Sequence, residues 1–199
     1  SEVVEIAHDA GAQVLVDAVQ APGQMPVDVE DWGADFVTGS GHKWLLGVWG
    51  AGFLYASDEG LDSLRPTQIG YYSVEDYNAA DFEFYDDARK FDLGTRSLAP
   101  FVALETAIEQ LQSVGLETVE TRIDRLTDRL KDGLGDRLLT PRDADSGLVT
   151  FAAEDPEATV ERLAEHGIQI RTLPSPDACR VSVHAVNTAA DIDRLLDAL

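Results

Sequence analysis

The 199-residue sequence contains a single cysteine, three lysines and no long hydrophobic run. Because Cys179 has no second cysteine to pair with in the chain, an internal disulfide framework is excluded, and we expect a protein of the reducing cytoplasm. No apolar stretch approaches the roughly 20 residues that cross a bilayer. The first residues also lack a charged region followed by an apolar run, so the sequence predicts neither a membrane span nor a secretory signal.

Positive charge is scarce. Lysine and arginine together number 15 against 37 aspartates and glutamates, which gives a formal net charge of -22. This sign of charge disfavours binding to nucleic-acid phosphates. The acidic residues are spread between hydrophobic segments along the chain, so a folded protein with an acidic surface is favoured over a disordered tail. Salt screens repulsion between such carboxylates, and they keep a surface hydrated, so we interpret the composition as halophilic.

Short apolar segments alternate with stretches of helical periodicity, which indicates an α/β fold. Helices are predicted at residues 2–10, 27–32, 101–114, 116–134, 157–166 and 189–199, and strands at 13–17, 35–39, 50–56, 147–152, 168–172 and 178–184. Residues 61–95 read as irregular, and long irregular segments are often functional. We therefore predict a large-domain portion with a mostly parallel sheet at residues 1–98, followed by a small α+β domain at residues 99–199.

Two polar motifs follow the first two predicted strands. Asp17 stands in Val-Asp-Ala-Val-Gln, and Lys43 stands in Ser-Gly-His-Lys-Trp. Taken alone, an aspartate at a strand end is more often a turn-former, and a lone lysine is more often a solvated charge. Together, at one edge of a parallel sheet, they would suit pyridoxal 5'-phosphate (PLP). An amine condenses with its aldehyde, and a carboxylate keeps its pyridine nitrogen protonated.

These two motifs and their spacing resemble the signature of class V aminotransferase-like, fold type I PLP enzymes. That group includes cysteine desulfurases, cyst(e)ine C–S lyases and isopenicillin N epimerase-like proteins. The resemblance implies that Lys43 forms the Schiff base with PLP and later removes the Cα proton of the substrate. It also implies that Asp17 pairs with the pyridine nitrogen and that Gln20 hydrogen-bonds the phenolic oxygen. Ser40 and His42 would hold the phosphate.

Two later segments extend the resemblance. The segment from Phe91 to Thr95 is similar to one in which the threonine reaches the phosphate of the neighbouring subunit, which implies a homodimer. The family usually continues with Pro-Asn, whereas Arg96-Ser97 stands here. The segment 170–184 is similar to the part that binds the substrate carboxylate, with Arg180 as the first candidate for a bidentate clamp and Arg171 as the second. Without the resemblance, either arginine would be read as an ordinary ion-pair partner.

Two absences refine the expected function. Persulfide-forming desulfurases of this family carry a cysteine on the loop that corresponds to residues 172–177, where this sequence has none. Cys179 lies in a predicted strand and is expected to be a small buried residue. The family's N-terminal portion, with its phosphate loop, is also missing, so the chain is expected to need the N-terminal half of the enzyme as a partner.

The expected activity is therefore that of a cyst(e)ine C–S lyase or a desulfurase-like enzyme acting on a small amino acid. Transamination and epimerisation remain alternatives, because all three reactions begin with the same proton removal. A non-catalytic domain that binds no cofactor alone is a further alternative. No metal site, nucleic-acid partner or membrane partner is predicted.

Overall fold

The computed structural model describes residues 2–199 and has the mixed α/β composition expected from the sequence. Its strands are β1 (Leu15–Asp17), β2 (Phe36–Ser40), β3 (Gly52–Ala56), β4 (Leu148–Phe151), β5 (Arg171–Pro174) and β6 (Asp177–Ser182). Its helices are α1 (Glu2–Asp9), α2 (Val29–Trp32), α3 (Asp58–Ser63), α4 (Ala99–Val114), α5 (Leu116–Leu134), α6 (Pro156–Glu165) and α7 (Ala189–Ala198). Short 3-10 helices occupy Ala88–Phe91 and Gly135–Arg137.

The chain divides into two compact units. Unit 1 comprises residues 2–22 and 27–110, and unit 2 comprises residues 23–26 and 111–199. This division follows the density of contacts and runs through α4. The boundary at residue 98 that the sequence suggested stays a prediction.

Unit 1 contains a three-stranded sheet in the order β1–β2–β3. Strands β1 and β2 are parallel, with Asp17 opposite Thr38, whereas β2 and β3 are antiparallel. The sequence reading favoured a mostly parallel sheet, but only the β1–β2 pair of unit 1 is parallel in residues 2–110. The cause is the connection at residues 41–51, which contains no helix. A parallel return needs a crossover of about a dozen residues or more, usually helical, so the chain turns straight back.

One core cluster of unit 1 surrounds Val37 of this sheet. Val4 from α1 packs there with Ala18, Ala34 and the fully buried Val37. Helix α2 begins after Asp28, because the Asp28 side chain accepts hydrogen bonds from the backbone amides of Glu30 and Asp31. It ends at Gly33, whose φ of 67° is one that glycine adopts without strain. These contacts hold strands β1 and β2 in place, and the carboxyl ends of the two strands lie at one edge of the sheet.

Unit 2 packs helices against an antiparallel sheet in the order β4–β6–β5. The apolar spacing that predicted α5 is confirmed, because Ile123, Leu126 and Leu130 are all buried. Asp155 caps the start of helix α6, because its side chain accepts from the Ala158 amide. A reciprocal pair of hydrogen bonds between Thr188 and Asp191 caps the start of α7. Strand β6 is the middle strand of this sheet.

Candidate functional site

The parallel pair β1–β2 brings two of the singled-out residues to one edge of the sheet. Asp17 is the last residue of β1, and Ser40 is the last residue of β2. The amide of Ala18 donates to the carbonyl of Thr38 at 2.9 Å, so the two chains stay paired one residue past β1. Asp17 is exposed, and its Oδ1 accepts from the Val19 amide at 3.1 Å. This turn holds the carboxylate at the edge where ligands bind in open α/β sheets.

Lys43 lies in a tight loop that follows β2, which we call the lysine loop (residues 41–47). The amide of Gly47 donates to the carbonyl of Gly41 at 2.8 Å, and the amide of Gly41 donates to the carbonyl of Ala51 at 3.0 Å. A Cβ at Gly41 would lie 2.9 Å from a methyl group of Leu104, and a Cβ at Gly47 would lie 2.8 Å from the Gly41 oxygen. Close approach therefore favours glycine at both ends of the loop that carries Lys43, most strongly at Gly47, where the neighbour is backbone.

One residue of the lysine loop has an unusual backbone conformation. Leu46 has a φ of 60°, in the left-handed region that branched and bulky side chains rarely adopt. Its amide donates to the carbonyl of Lys43 at 3.1 Å. Such conformations persist where the surroundings impose them, and they concentrate at functional sites.

Gln20 is oriented by a buried tryptophan. The indole Nε1 of Trp44 donates to Oε1 of Gln20 at 2.8 Å. Trp44 follows Lys43 directly and lies in the interior. Because the amide oxygen accepts from the indole, the nitrogen is the end of Gln20 that serves as donor, as a contact with a phenolic oxygen would require.

Ser40 and His42 form a hydrogen-bonded pair next to Lys43. The Ser40 hydroxyl lies 2.7 Å from Nδ1 of His42, and both residues are half-buried. The ring of Trp49 stacks on the His42 imidazole, with centroids 4.0 Å apart and planes inclined by 19°. Sequence reasoning did not single out Trp49. The signal that could have found it is an aromatic residue inside the glycine-rich stretch 47–52.

The side chains at this edge have the chemistry that PLP requires. Lys43 supplies an amine, Asp17 supplies an exposed carboxylate, and Ser40 with His42 supplies a hydroxyl–imidazole pair. The three kinds of group follow two adjacent parallel strands, so the residues present fit the cofactor. Thr95 belongs to the same unit but lies in an exposed irregular segment after the 3-10 helix Ala88–Phe91.

Arg171 and Arg180 are directly opposite each other in the antiparallel pair β5–β6 of unit 2. Directly opposed residues project from the same face, and like charges in that arrangement are destabilising. Burial lowers the pKa of the Arg180 guanidinium, and the charge of Arg171 lowers it further. The Nε of Arg180 is buried without a hydrogen-bond partner in the described part of the chain. Two opposed guanidiniums, one of them unsatisfied, are the arrangement expected of a site for an anion.

Cys179 is fully buried in β6, and its sulfur lies 3.6 Å from the carbonyl of Pro156. Burial raises the pKa of its thiol, and the neighbouring Asp177 adds to the rise. A thiol in this setting is a core residue rather than an accessible nucleophile.

Residues 2–199 contain no helix long and apolar enough to span a membrane. The same residues contain no group of three or more histidine, cysteine, aspartate or glutamate side chains suited to a metal ion.

Comparison with known proteins gives a consistent family. The family model described as aminotransferase class-V matches residues 1–195. A probable cysteine desulfurase of Halalkalibacterium halodurans is 33% identical over the whole of this chain and 52% of its own length. The apo structure of a cysteine desulfurase from Thermococcus onnurineus NA1 superposes with a TM-score of 0.89 at 28% identity, over 98% of this chain and 54% of that one.

A second solved structure is that of the cystine C–S lyase C-DES in complex with its reaction product, cysteine persulfide. It superposes with a TM-score of 0.85 at 28% identity, over 94% of this chain and 51% of that chain. The chain thus spans about half the length of the proteins it matches. The fold and the resemblance that the sequence indicated are confirmed: the chain belongs to the class V aminotransferase family of PLP-dependent enzymes.

Proposed function

We propose that this chain is the lysine-bearing half of a PLP-dependent enzyme that cleaves the carbon–sulfur bond of a small sulfur-containing amino acid. The observation that carries the proposal is the parallel pair β1–β2, whose carboxyl ends hold Asp17 and lead into the lysine loop. PLP, when bound, supplies an electron sink for the negative charge that develops at the substrate Cα.

Each residue at this edge has a defined task in the proposal. Lys43 would hold the cofactor through its amine and would serve as the general base that takes the substrate Cα proton. The Asp17 carboxylate would face the pyridine nitrogen and favour its protonated form. Gln20 donates to the phenolic oxygen. Ser40 and His42 hold the phosphate.

The two opposed arginines bind the substrate's carboxylate in this proposal. Support comes from the buried Nε of Arg180, because a carboxylate would supply the acceptor that this donor lacks. It would also neutralise the repulsion between Arg171 and Arg180 across the β5–β6 pair. The planar guanidinium of Arg180 suits a bidentate contact with a carboxylate.

Elimination is favoured over persulfide transfer by the placement of the single thiol. Cys179 is buried in the core of unit 2, and residues 172–177 contain no cysteine. Removal of the Cα proton by Lys43 would then expel the sulfur from Cβ without a protein thiol as acceptor.

Exposed apolar side chains of unit 1 support assembly with other polypeptide. Tyr71, Tyr72, Tyr77 and Leu98 are more than half exposed in a chain of net charge -22. Apolar surface of this kind marks interfaces. We propose two partners for this surface. One is a second copy of the enzyme, whose phosphate Thr95 would reach, and the other is the N-terminal half. The single buried thiol of Cys179 fits a reducing cytoplasm in this proposal. The net charge of -22 disfavours a nucleic-acid partner.

Product analysis of the full-length enzyme tests this function. The enzyme, with PLP, is incubated with cysteine or cystine, and pyruvate, alanine and sulfur products are quantified. We expect pyruvate from the intact enzyme and none from Lys43→Ala. Alanine formed together with persulfide would overturn the elimination, and a full-length enzyme that takes up no PLP would favour a non-catalytic domain.

A further inference from the structure

Trp49 lies flat against His42 although it gains little from burial. Its side chain is 80% exposed, yet its ring lies 4.0 Å from the imidazole centroid and is inclined by only 19° to the imidazole plane. Stacked aromatic pairs contribute about 0.5–1.5 kcal/mol beyond their buried area. The contact therefore has an energetic value that burial of the indole does not explain.

The loop backbone brings Trp49 to this position. Both segments that flank Trp49 are hydrogen-bonded to Gly41, the residue before His42. On one side Gly47 donates to the Gly41 carbonyl, and on the other the Ala51 carbonyl accepts from the Gly41 amide. Gly50 has a φ of 102°, which lets the chain reverse between Trp49 and Ala51. The indole is consequently returned over the residue that follows Gly41.

Two contacts together define the orientation of the His42 ring. The hydrogen bond between the Ser40 hydroxyl and Nδ1 acts in the plane of the ring, at 2.7 Å. The stack with Trp49 acts perpendicular to that plane. Rotation of the imidazole about its Cβ–Cγ bond would break both contacts. Because His42 lies in the lysine loop rather than in a helix or strand, these contacts take the place of regular packing.

We propose that Trp49 is a positioning residue that holds the His42 imidazole in one plane, so that its Nε2 keeps a fixed direction toward an anionic group. The identity of that anion as the cofactor phosphate rests on the proposed function. The positioning itself rests only on the Ser40–His42–Trp49 geometry. In this proposal Trp49 acts through His42.

The positioning is testable on this chain without cofactor. Histidine ring protons and ¹⁵N shifts are recorded by NMR, and His42 is assigned by comparison with His42→Ala. We expect its ring protons to be shifted upfield by the indole and its nitrogens to report one predominant tautomer. Trp49→Ala should abolish the ring-current shift and mix the tautomers, whereas Trp49→Phe should largely restore both. Val48→Ala, an exposed neighbour without a ring, is the matched control.

The link to the phosphate is tested on the full-length enzyme by comparing affinity for PLP with affinity for pyridoxal, which lacks the phosphate. Trp49→Ala should weaken PLP binding by about 2- to 10-fold and leave pyridoxal binding unchanged. Added to His42→Ala, it should have no further effect, because its action passes through His42.

Three results would separate the claims. An unchanged His42 tautomer and ring shift in Trp49→Ala would overturn the positioning. Equal losses for PLP and pyridoxal would overturn the phosphate assignment. Full-length wild-type enzyme that binds neither compound would remove the proposed function, while the NMR comparison would still decide the role of Trp49.

Discussion

Lysine is nearly excluded from this chain, and the places where it remains are informative. Lys90 is 9% exposed and donates to the carbonyl of Leu61 at 2.8 Å. Lys131 is 5% exposed and donates to the carbonyl of Ala144 at 2.7 Å. Both ammonium groups therefore stabilise their own unit through hydrogen bonds to backbone carbonyls. Lys43 is the half-buried exception, in a loop tightened around it by glycines, and this contrast supports a chemical task for its amine.

Asp35 gives the structure a pH-dependent contribution at the residue scale. The hydrogen bond from the Val14 amide, at 2.7 Å, lowers the pKa of this carboxyl, and His8 lowers it further. A pKa lowered by folding gives stability that is present above the unfolded value, about 4, and is lost as pH falls through the folded value. We expect Asp35→Asn to lower the free energy of unfolding by about 1–2 kcal/mol at pH 7.

Urea unfolding at pH 7 and at pH 3 measures this effect. The difference between wild type and Asp35→Asn should shrink at the lower pH, because the stability that the ionised Asp35 contributes is lost as pH falls through the unfolded pKa toward the lowered folded pKa. Asp86→Asn, at an exposed aspartate of the same unit, serves as the control and should change little at either pH. An Asp35→Asn deficit that is equally large at both pH values would contradict the assignment.

The opposed arginines predict a trade-off between stability and binding. Arg171→Gln removes a like charge opposite Arg180, so we expect a gain of about 0.2–1 kcal/mol in the free energy of unfolding without substrate. The same change should weaken binding of the substrate carboxylate. Arg129→Gln is the control, because Arg129 pairs with Asp193 at 2.6 Å and its loss should destabilise. Thermal unfolding at about 0.1 M salt, where the Debye length of about 10 Å leaves neighbouring charges largely unscreened, compares the two variants. A loss of stability in both would contradict the prediction.

At the scale of elements, the spacing of apolar residues predicted a helix whose apolar face is buried. Helix α5 has the predicted bounds because its apolar stripe lies between Gly115 and Gly135, at positive φ angles of 90° and 55°. Strand β5 begins at Arg171 rather than Ile168. Ile168 and Ile170 instead pack as partly buried residues against the core of unit 2. Apolar character alone did not show that Ile168 and Ile170 lie before strand β5 and not within it.

The site was predictable only as far as its motifs extend. Asp17, Gln20, Ser40, His42 and Lys43 could be singled out because their residue types and spacing form a pattern. The stack of Trp49 on His42 could not, because it depends on backbone hydrogen bonds to Gly41 that no spacing encodes. The left-handed Leu46 was also beyond reach, since leucine carries no signal for that conformation.

The lysine loop yields a prediction about close backbone approach. Gly47→Ala places a methyl group 2.8 Å from the Gly41 oxygen, so the hydrogen bond that closes the loop must lengthen. We expect a loss of about 1–3 kcal/mol in the free energy of unfolding, together with weaker PLP uptake by the full-length enzyme. Gly94→Ala is the matched control, because a Cβ there has no neighbour within 4 Å. Equal stabilities of the two variants in urea would contradict the tight-loop account.

At the scale of the whole molecule, the net charge of -22 opposes folding through self-repulsion. The Debye length falls from about 10 Å at 0.1 M salt to about 3 Å at 1 M, so added salt relieves this repulsion. We expect the thermal midpoint to rise steadily between 0.1 M and 2 M potassium chloride. Sucrose of equal osmolality is the control, because it screens no charge. Equal stability in dilute buffer and in molar salt would contradict a halophilic surface.

The most direct test of the account asks which amine of the intact enzyme reacts with the cofactor. Full-length enzyme is loaded with PLP, reduced with borohydride, digested and mapped by mass spectrometry. The account predicts a pyridoxyl mass on the Lys43 peptide, none on the peptides of Lys90 and Lys131, and loss of the label in Lys43→Ala. A label on Lys90 or Lys131 in place of Lys43, or enzyme that retains PLP after Lys43→Ala through another lysine, would contradict it.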